Sequence, residues 1–316
     1  MMVEADGRIP LTILGGYLGA GKSSWLRHQL HVGGFSGAHV LVNEAAAMPV
    51  DHLLLAGAEG LTVLADGCAC CDGAARFVAA MRALCDRDVA SIVLETSGLS
   101  DPARIAAHIA ADGVLARRIR IVETVVVADA LNAAVQLTTE PLWLRQIEAA
   151  DRIVLTKVDV AEPGSLARLA ATMAVVNPGA EVSGAALGSA VTLPDTNGVQ
   201  PLAILPPKVD AAPIRTLRLD VSAAAGWAAV SVWLSAVLHA HGDDLVRVKG
   251  VIRAPAGRLL LQAVRGTVQP PEILPDSLTD TLASNGTAEN VIVFIGRGLE
   301  DGRIDRSFRL LMDQAT

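Results

Sequence analysis

The chain has 316 residues, with 26 Lys+Arg against 33 Asp+Glu for a formal net charge of −7, and 52% hydrophobic residues. Disordered chains lack apolar surface to bury, so this content argues against wholesale disorder, and the acidic balance argues against a nucleic-acid binder with a basic face. Aromatics are only 3%, so the core must be built from Val, Leu, Ile and Ala, as buried parallel sheets often are.

In chain order, 11–14 reads as the first strand, and Gly16-Tyr17-Leu18-Gly19-Ala20-Gly21-Lys22-Ser23 follows it. This fits G-x-x-x-x-G-K-[ST] between a strand and a helix over 22–31. Glycines let such a loop curl so that its N–H groups face phosphate oxygens, and the helix N-terminus favours the same anion. Lys22 is the candidate for the β- and γ-phosphates and Ser23 for Mg²⁺. Gly16, Gly19, Ala20, Gly21 and Ser24 complete the phosphate-binding set.

A strand at 39–42 leads into Asn43-Glu44, where Glu44 is either a metal-shell carboxylate or a solvated loop residue. A strand at 61–64 leads into Gly67-Cys68-Ala69-Cys70-Cys71-Asp72-Gly73. Such crowding is a poor disulfide framework, and it reads as a thiolate metal site in a reducing compartment. Soft thiolates favour Zn²⁺ or Cu⁺ over Mg²⁺ and Ca²⁺. Three Cys fall short of a closed structural zinc site, which suits a labile, deliverable ion. Adjacent Cys70 and Cys71 are expected to point apart unless the loop turns, leaving two of the three as direct ligands. Buried thiols without metal, or a redox pair, are the competing readings. Cys85, on the helix over 74–84 and its end, reads as core.

The strand at 91–94 ends in Glu95-Thr96-Ser97-Gly98. A carboxylate at a strand tip beside the phosphate loop suits Mg²⁺, with Gly98 facing the γ-phosphate. Lys22 and Glu95 are the candidate catalytic residues. A helix over 102–110, a strand over 122–127, a helix over 141–150 and a strand over 152–155 follow. Pro102 and Pro141 suit first helical turns. Thr156-Lys157-Val158-Asp159 then resembles an N/T-K-x-D guanine-reading motif. Asp159 accepts from the N1–H and 2-amino group of guanine, neither of which adenine offers, so it selects GTP. Thr156 in place of the usual Asn loses one amide contact. A helix over 164–174 closes this part. The alternation indicates an α/β domain with a mostly parallel sheet.

The stretch 192–213 is rich in Pro, Gly and polar residues, a linker signature. Beyond it, a strand at 214–221, a helix at 223–239, strands at 245–252, 259–268 and 290–295 and a helix near 306–312 suggest a smaller α+β domain. The expected division is a GTPase domain over 1–195 carrying the C-x-C-C loop, a linker over 196–213 and a C-terminal domain over 214–316. Residues 221–238 carry no charged side chain, which raises the question of a membrane span. Dilution by Ala, Ser and Gly, and the one-sided spacing of Trp227, Val230, Leu234, Val237 and Leu238, favour a buried amphipathic helix instead. The opening MMVEADGRIP lacks a signal pattern, so a cytoplasmic location without membrane contact is expected. His28, His31, His239 and His241 are scattered and read as surface or core.

Together these residues resemble the CobW-type metal-trafficking GTPases of the phosphate-loop class. The similar segments are GGYLGAGKSSWL at 15–26, VNEAAAMPVD at 42–51, GCACC at 67–71, ETSGLSDP at 95–102, QIEAADRIVLTKVD at 146–159, and LVRVKGVI and VIVFIGRGL in the C-terminal part. The resemblance implies GTP and GDP as nucleotides, Mg²⁺ as cofactor, and a small CobW C-terminal domain. It implies Zn²⁺, or Co²⁺ or another divalent ion, at the C-x-C-C loop, handed to a client metalloprotein or cofactor pathway under GTP control. The family roles fall on Gly19, Gly21, Lys22 and Ser23 for phosphates, Glu95 for Mg²⁺, Asp159 for guanine, and Cys68, Cys70, Cys71 and Glu44 for the transported metal. Ala46 and Ala47 depart from the family, which has a Gly and a second Glu there; Asp72, after the last Cys, is a candidate to substitute for the missing acid. No Gln stands just after Gly98 to position water, so slow intrinsic hydrolysis is expected. The competing class is a nucleotide-stabilised interaction scaffold without metal transfer.

Overall fold

The structure, a computed structural model, describes residues 7–43, 60–64, 69–71, 73–203, 214–221, 227–241, 244–254, 257–264, 267–268, 271–274, 290–299 and 302–315. The chain forms two units, Ile9–Asp210 and Ala211–Thr316 with Met1–Arg8.

The first unit is built on eight strands: β1 (Ile9–Gly15), β2 (Ala38–Asn43), β3 (Gly60–Leu64), β4 (Ser91–Glu95), β5 (Ile119–Asp129), β6 (Arg152–Thr156), β7 (Glu181–Ala186) and β8 (Ser189–Val191). They lie in the order β3-β2-β4-β1-β5-β6-β7-β8, and all pairings are parallel except β7 with β8. The helices are α1 (Lys22–His31), α2 (Ala74–Cys85), α3 (Pro102–Ala111), α4 (Leu115–Arg118), α5 (Ala133–Thr139), α6 (Pro141–Ala149) and α7 (Pro163–Val176).

Side chains alternate across a strand, so a sheet covered on both faces needs continuous apolar runs. Ile13, Leu41, Ile92 and Leu94 pack on one face with Phe77 and Met81 of α2 and Ile105 and Ile109 of α3. Their chain neighbours Leu14, Val40, Val42 and Val93 pack on the other with Trp25, Leu26 and Leu30 of α1. Local chemistry sets the helix starts. The Asp101 side chain accepts from the Ala103 N–H at 3.0 Å, and Pro102 fills the first turn of α3. Glu162 caps α7 in the same way through Gly164 and Ser165.

The second unit has an antiparallel sheet of β9 (Ile214–Asp220), β10 (Leu245–Ala254), β11 (Gly257–Val264), β12 (Thr267–Val268), β13 (Glu272–Leu274) and β14 (Val291–Arg297), with helices α8 (Trp227–His241) and α9 (Arg303–Ala315). Its order is β12-β11-β10-β14-β9, with β13 also on β11. The single strand expected over 259–268 is two strands paired antiparallel through Ala263 with Val268 and Val264 with Thr267. Val230, Trp233, Leu234, Val237 and Leu238 are buried, the i, i+3, i+4, i+7, i+8 stripe of an amphipathic helix. Trp233 packs edge-on against Phe294 and Phe308 at 5.9 and 4.9 Å and donates to Ser307 Oγ at 3.0 Å. Among the described residues, no helix is long and apolar enough to cross a membrane.

Candidate nucleotide and metal site

β1 lies between β4 and β5, and the segments following β4, β1, β5 and β6 gather along the carboxyl edge of the sheet, where α/β folds bind ligands. The loop after β1 is forced to be glycine-rich. At Gly16, with φ 138°, an added Cβ would lie 2.3 Å from the Val127 carbonyl oxygen. A cavity of about 300 Å³ opens there, lined by Gly19, Gly21, Lys22, Ser23 and Ser24 on one side and by Glu95 and Gly98 on the other.

Lys22 Nζ donates to the carbonyls of Gly16 at 2.9 Å and Tyr17 at 3.3 Å, so the ammonium sits inside the curl of the loop. Ser23 Oγ donates to Glu95 Oε1 at 2.5 Å. These are hard oxygen donors, one in the first turn of α1 and one at the tip of β4, the donor type that Mg²⁺ takes beside a phosphate. Gly98 is pressed against the glycine loop: a Cβ there would lie 2.7 Å from the Leu18 backbone nitrogen.

The Thr156-Lys157-Val158-Asp159 segment approaches the loop from the β6 side and does not line that cavity. Thr156 Oγ1 lies 2.8 Å from the Ala20 carbonyl and 3.2 Å from that of Ala128. Its hydroxyl therefore ties β6 to the buried Ala20 of the glycine loop. Lys157 has φ 57°, and its Nζ reaches Asp129 Oδ2 at 2.8 Å and the Gly19 carbonyl at 3.3 Å. Burial pushes the Asp129 carboxyl up, but hydrogen bonds from Lys157, Asn132 and the Leu131 N–H outweigh it and hold it below its ordinary value. Asp159 is exposed in the turn after β6.

Of the thiolate loop, residues 69–71 and 73 are described; Cys68, Asp72, Glu44, Ala46 and Ala47 lie outside the described residues. The turn at 69–71 brings Cys70 Sγ and Cys71 Sγ within 4.0 Å. Two thiolates on one tetrahedral zinc, each about 2.3 Å from it, stand about 3.8 Å apart. The divergence expected of adjacent Cys side chains is thus undone by the turn. Cys70 is buried and Cys71 exposed. Among the described residues, Asn43 Oδ1 accepts from the Ala69 N–H at 2.8 Å, and His108 Nε2 lies 3.3 Å from the Cys70 carbonyl. Among the described residues, no group of three His, Cys, Asp or Glu could hold a metal ion. Cys85 is buried in the α2–α3 core, where desolvation pushes its thiol up.

Sequence reading missed Gln146, Asn43 as a loop tether, Asp129 and His108. Gln146 is fully buried, and its Nε2 donates to the carbonyls of Ser100 at 2.6 Å and Gly98 at 3.2 Å. The signal was present: an amide in helical phase with Trp143 and Ile147, both buried, is a polar group that must find partners.

Residues 10–183 match the family described as CobW/HypB/UreG, nucleotide-binding domain, and residues 214–311 match the cobalamin synthesis protein cobW C-terminal domain. The chain is 33% identical over 181 residues to the zinc chaperone YjiA of Escherichia coli (strain K12), covering 55% of this chain and 56% of YjiA. It is 31% identical over 195 residues to the zinc chaperone CobW of Sinorhizobium sp, covering 51% and 54%. The chain thus spans about half the length of the curated relatives it matches. The crystal structure of Zn(II)-bound YjiA GTPase from E. coli is similar with a TM-score of 0.61 and 23% identity, over 96% of this chain and 99% of that one, a likeness of fold. With its nucleotide-binding domain matched over more than half of the sequence, the chain belongs to the CobW/HypB/UreG family.

Proposed function

We propose that this chain binds and hydrolyses GTP and uses the nucleotide cycle to hold and hand over a transition-metal ion, zinc first and cobalt as the alternative, to a client metalloprotein. The observation that carries the metal reading is the 4.0 Å separation of the Cys70 and Cys71 sulfurs, in a family whose curated relatives include proteins named zinc chaperones. Cys68 and Glu44 are proposed to complete the metal shell.

In this reading the curled N–H groups from Gly16 to Ser24 hold the phosphates and Lys22 faces the β- and γ-oxygens. Ser23 and Glu95 would hold Mg²⁺, which when bound neutralises charge between those phosphates. Water attacks the γ-phosphorus, and the bond to the bridging β–γ oxygen breaks to give GDP and phosphate. Lys22 takes up charge developing on the transferred group, while Gly98 lies against the same group. Asp159 reads guanine, with Thr156 and Lys157 fixing the glycine loop behind it. No Gln follows Gly98 in the sequence to orient the water, so turnover is expected to be slow until a client or metal completes the site.

The test is Zn²⁺ affinity by competition with a chelating dye, with GDP and with a non-hydrolysable GTP analogue, alongside phosphate release from GTP and ATP. Binding that depends on the nucleotide and is lost in a Cys68/Cys70/Cys71→Ser variant, with GTP preferred, supports the reading. Absent Zn²⁺ and Co²⁺ binding overturns the metal part, and absent GTP turnover overturns the hydrolase part.

A further inference from the structure

Asn43 is the last residue of β2 and is buried. Its neighbour Val42 pairs with Glu95 across β2 and β4, so Asn43 stands at the same sheet edge as the acidic residue that faces Ser23. It has two roles at once. It forms part of the wall of the phosphate cavity, beside Ser23 and Glu95. Its Oδ1 also accepts the Ala69 N–H at 2.8 Å. Ala69 directly precedes Cys70, so this bond holds the backbone next to the first of the two described candidate thiolates.

The loop has a second tether, His108 on the Cys70 carbonyl, but His108 does not line the cavity. Of the two contacts, Asn43 alone meets both the space a nucleotide would fill and the loop a metal would occupy. We propose that Asn43 is the positioning residue that makes metal affinity at the thiolate loop depend on the nucleotide. This rests on the function proposed above. A γ-phosphate and its cation, drawing on Ser23 and Glu95, rearrange the cavity wall at Asn43. The bond to Ala69 is kept in one nucleotide state and loosened in the other, and the thiolates follow. Coupling of this kind is reciprocal, so Zn²⁺ must shift the preference for the GTP analogue over GDP by the same factor as exchanging GDP for the analogue shifts the affinity for Zn²⁺.

The experiment uses the full chain and measures Zn²⁺ affinity with GDP and with the GTP analogue, and the preference for the analogue over GDP with and without Zn²⁺. The wild type is expected to show a ratio of at least about fivefold in both directions. Asn43→Leu, which keeps the bulk and removes the acceptor, is expected to bring both ratios to within about 1.5-fold of unity. Asn43→Asp, which retains an acceptor for the Ala69 N–H, is expected to retain a ratio. His108→Ala is expected to weaken Zn²⁺ in both states alike and leave the ratio standing. A ratio that survives in Asn43→Leu overturns the inference and leaves the proposed function intact. A wild type that binds GTP and Zn²⁺ without mutual influence also overturns it, whereas a wild type that binds neither overturns the proposed function as well. Should Asn43→Leu not fold, hydrogen exchange at the Ala69 amide of the wild type decides: protection that differs between GDP and the analogue supports the inference, and equal protection overturns it.

Discussion

The Gln146 amide donates to the Ser100 carbonyl at 2.6 Å across 46 residues of sequence. The same nitrogen reaches the Gly98 carbonyl, and the adjacent Arg145 pairs with Asp101 at 3.2 Å. α6 therefore grips the segment after β4 by two consecutive residues. Its other contacts stiffen that grip. Trp143 lies against Tyr17 of the glycine loop with ring centroids 6.4 Å apart, and the buried Asn177 amide lies within hydrogen-bonding distance of the Ile147, Glu148 and Ala150 carbonyls at the helix end. Gln146→Met keeps length and removes the donor, leaving two loop carbonyls without this partner. Stability is expected to fall by about 1–3 kcal/mol, and kcat for GTP to fall by more than KM changes. Urea unfolding and steady-state phosphate release read the two effects, and an unchanged kcat contradicts the second.

Ser23 and Glu95 face each other at 2.5 Å. Glu95→Gln keeps the shape of the side chain and removes its charge. GTP turnover at saturating Mg²⁺ is expected to drop on the order of 100-fold, the usual cost of losing one electrostatic group at a reacting phosphate. The Mg²⁺ concentration for half-maximal turnover is expected to rise. A Mg²⁺ titration with unchanged midpoint and rate would remove Glu95 from the site.

The two described thiols that differ most are Cys71, exposed, and Cys85, buried with its thiol pushed up by desolvation. Iodoacetamide at pH 7.5 is expected to label Cys71 and spare Cys85 in the folded protein, and Zn²⁺ to protect Cys71. Cys71→Ser is expected to weaken Zn²⁺ by at least about 10–100-fold, whereas Cys85→Ser leaves Zn²⁺ binding unchanged. Peptide mapping after labelling, with and without Zn²⁺, checks the pattern. Labelling of Cys71 that ignores Zn²⁺ counts against the thiolate site.

Asp129 gives a pH dependence with a definite sign. Its carboxyl is held below the ordinary value, so the folded state binds its proton less well than the unfolded chain. That contribution is complete above the ordinary Asp range near 4 and is lost as pH falls through it towards the lowered folded value. Asp129→Asn is expected to cost roughly 1–2 kcal/mol at neutral pH, discounted because Lys157 is partly exposed. The gap between wild type and variant in urea unfolding should shrink as pH drops from 5 to 3. A gap that grows on acidification has the wrong sign.

Much of this architecture was legible in the residues. The runs around Ile13, Leu41, Val93 and Val154 mark strands covered on both faces, and the boundaries of α1 follow from the glycine loop before it and the Gly-rich turn after it. The hairpin of β7 and β8 was not legible, because Glu181–Ala186 is rich in small residues and Ser189–Val191 is exposed, so neither has a strong apolar period. α5 was missed for a related reason: Ala133–Thr139 is short and has little apolar bulk. At the site, the phosphate loop and the acidic strand tip declare themselves by spacing. The partners that hold them do not. Asn43, Asp129, His108 and Gln146 act through hydrogen bonds that include backbone or side-chain atoms far away in the chain, and a linear pattern carries no trace of which atoms meet.

The strand order β4-β1-β5-β6 also works as a ruler. Neighbouring strands stand about 4.8 Å apart, so the tips of β4 and β6 are separated by about 14 Å. Glu95 stands at one end of that span and the Thr156–Asp159 turn begins at the other. A ligand gripped at both ends is thereby measured for length as well as for chemistry. In the proposed reading, a nucleotide held by the Thr156–Asp159 turn at its base and by Glu95 beyond its phosphates would have to bridge that span.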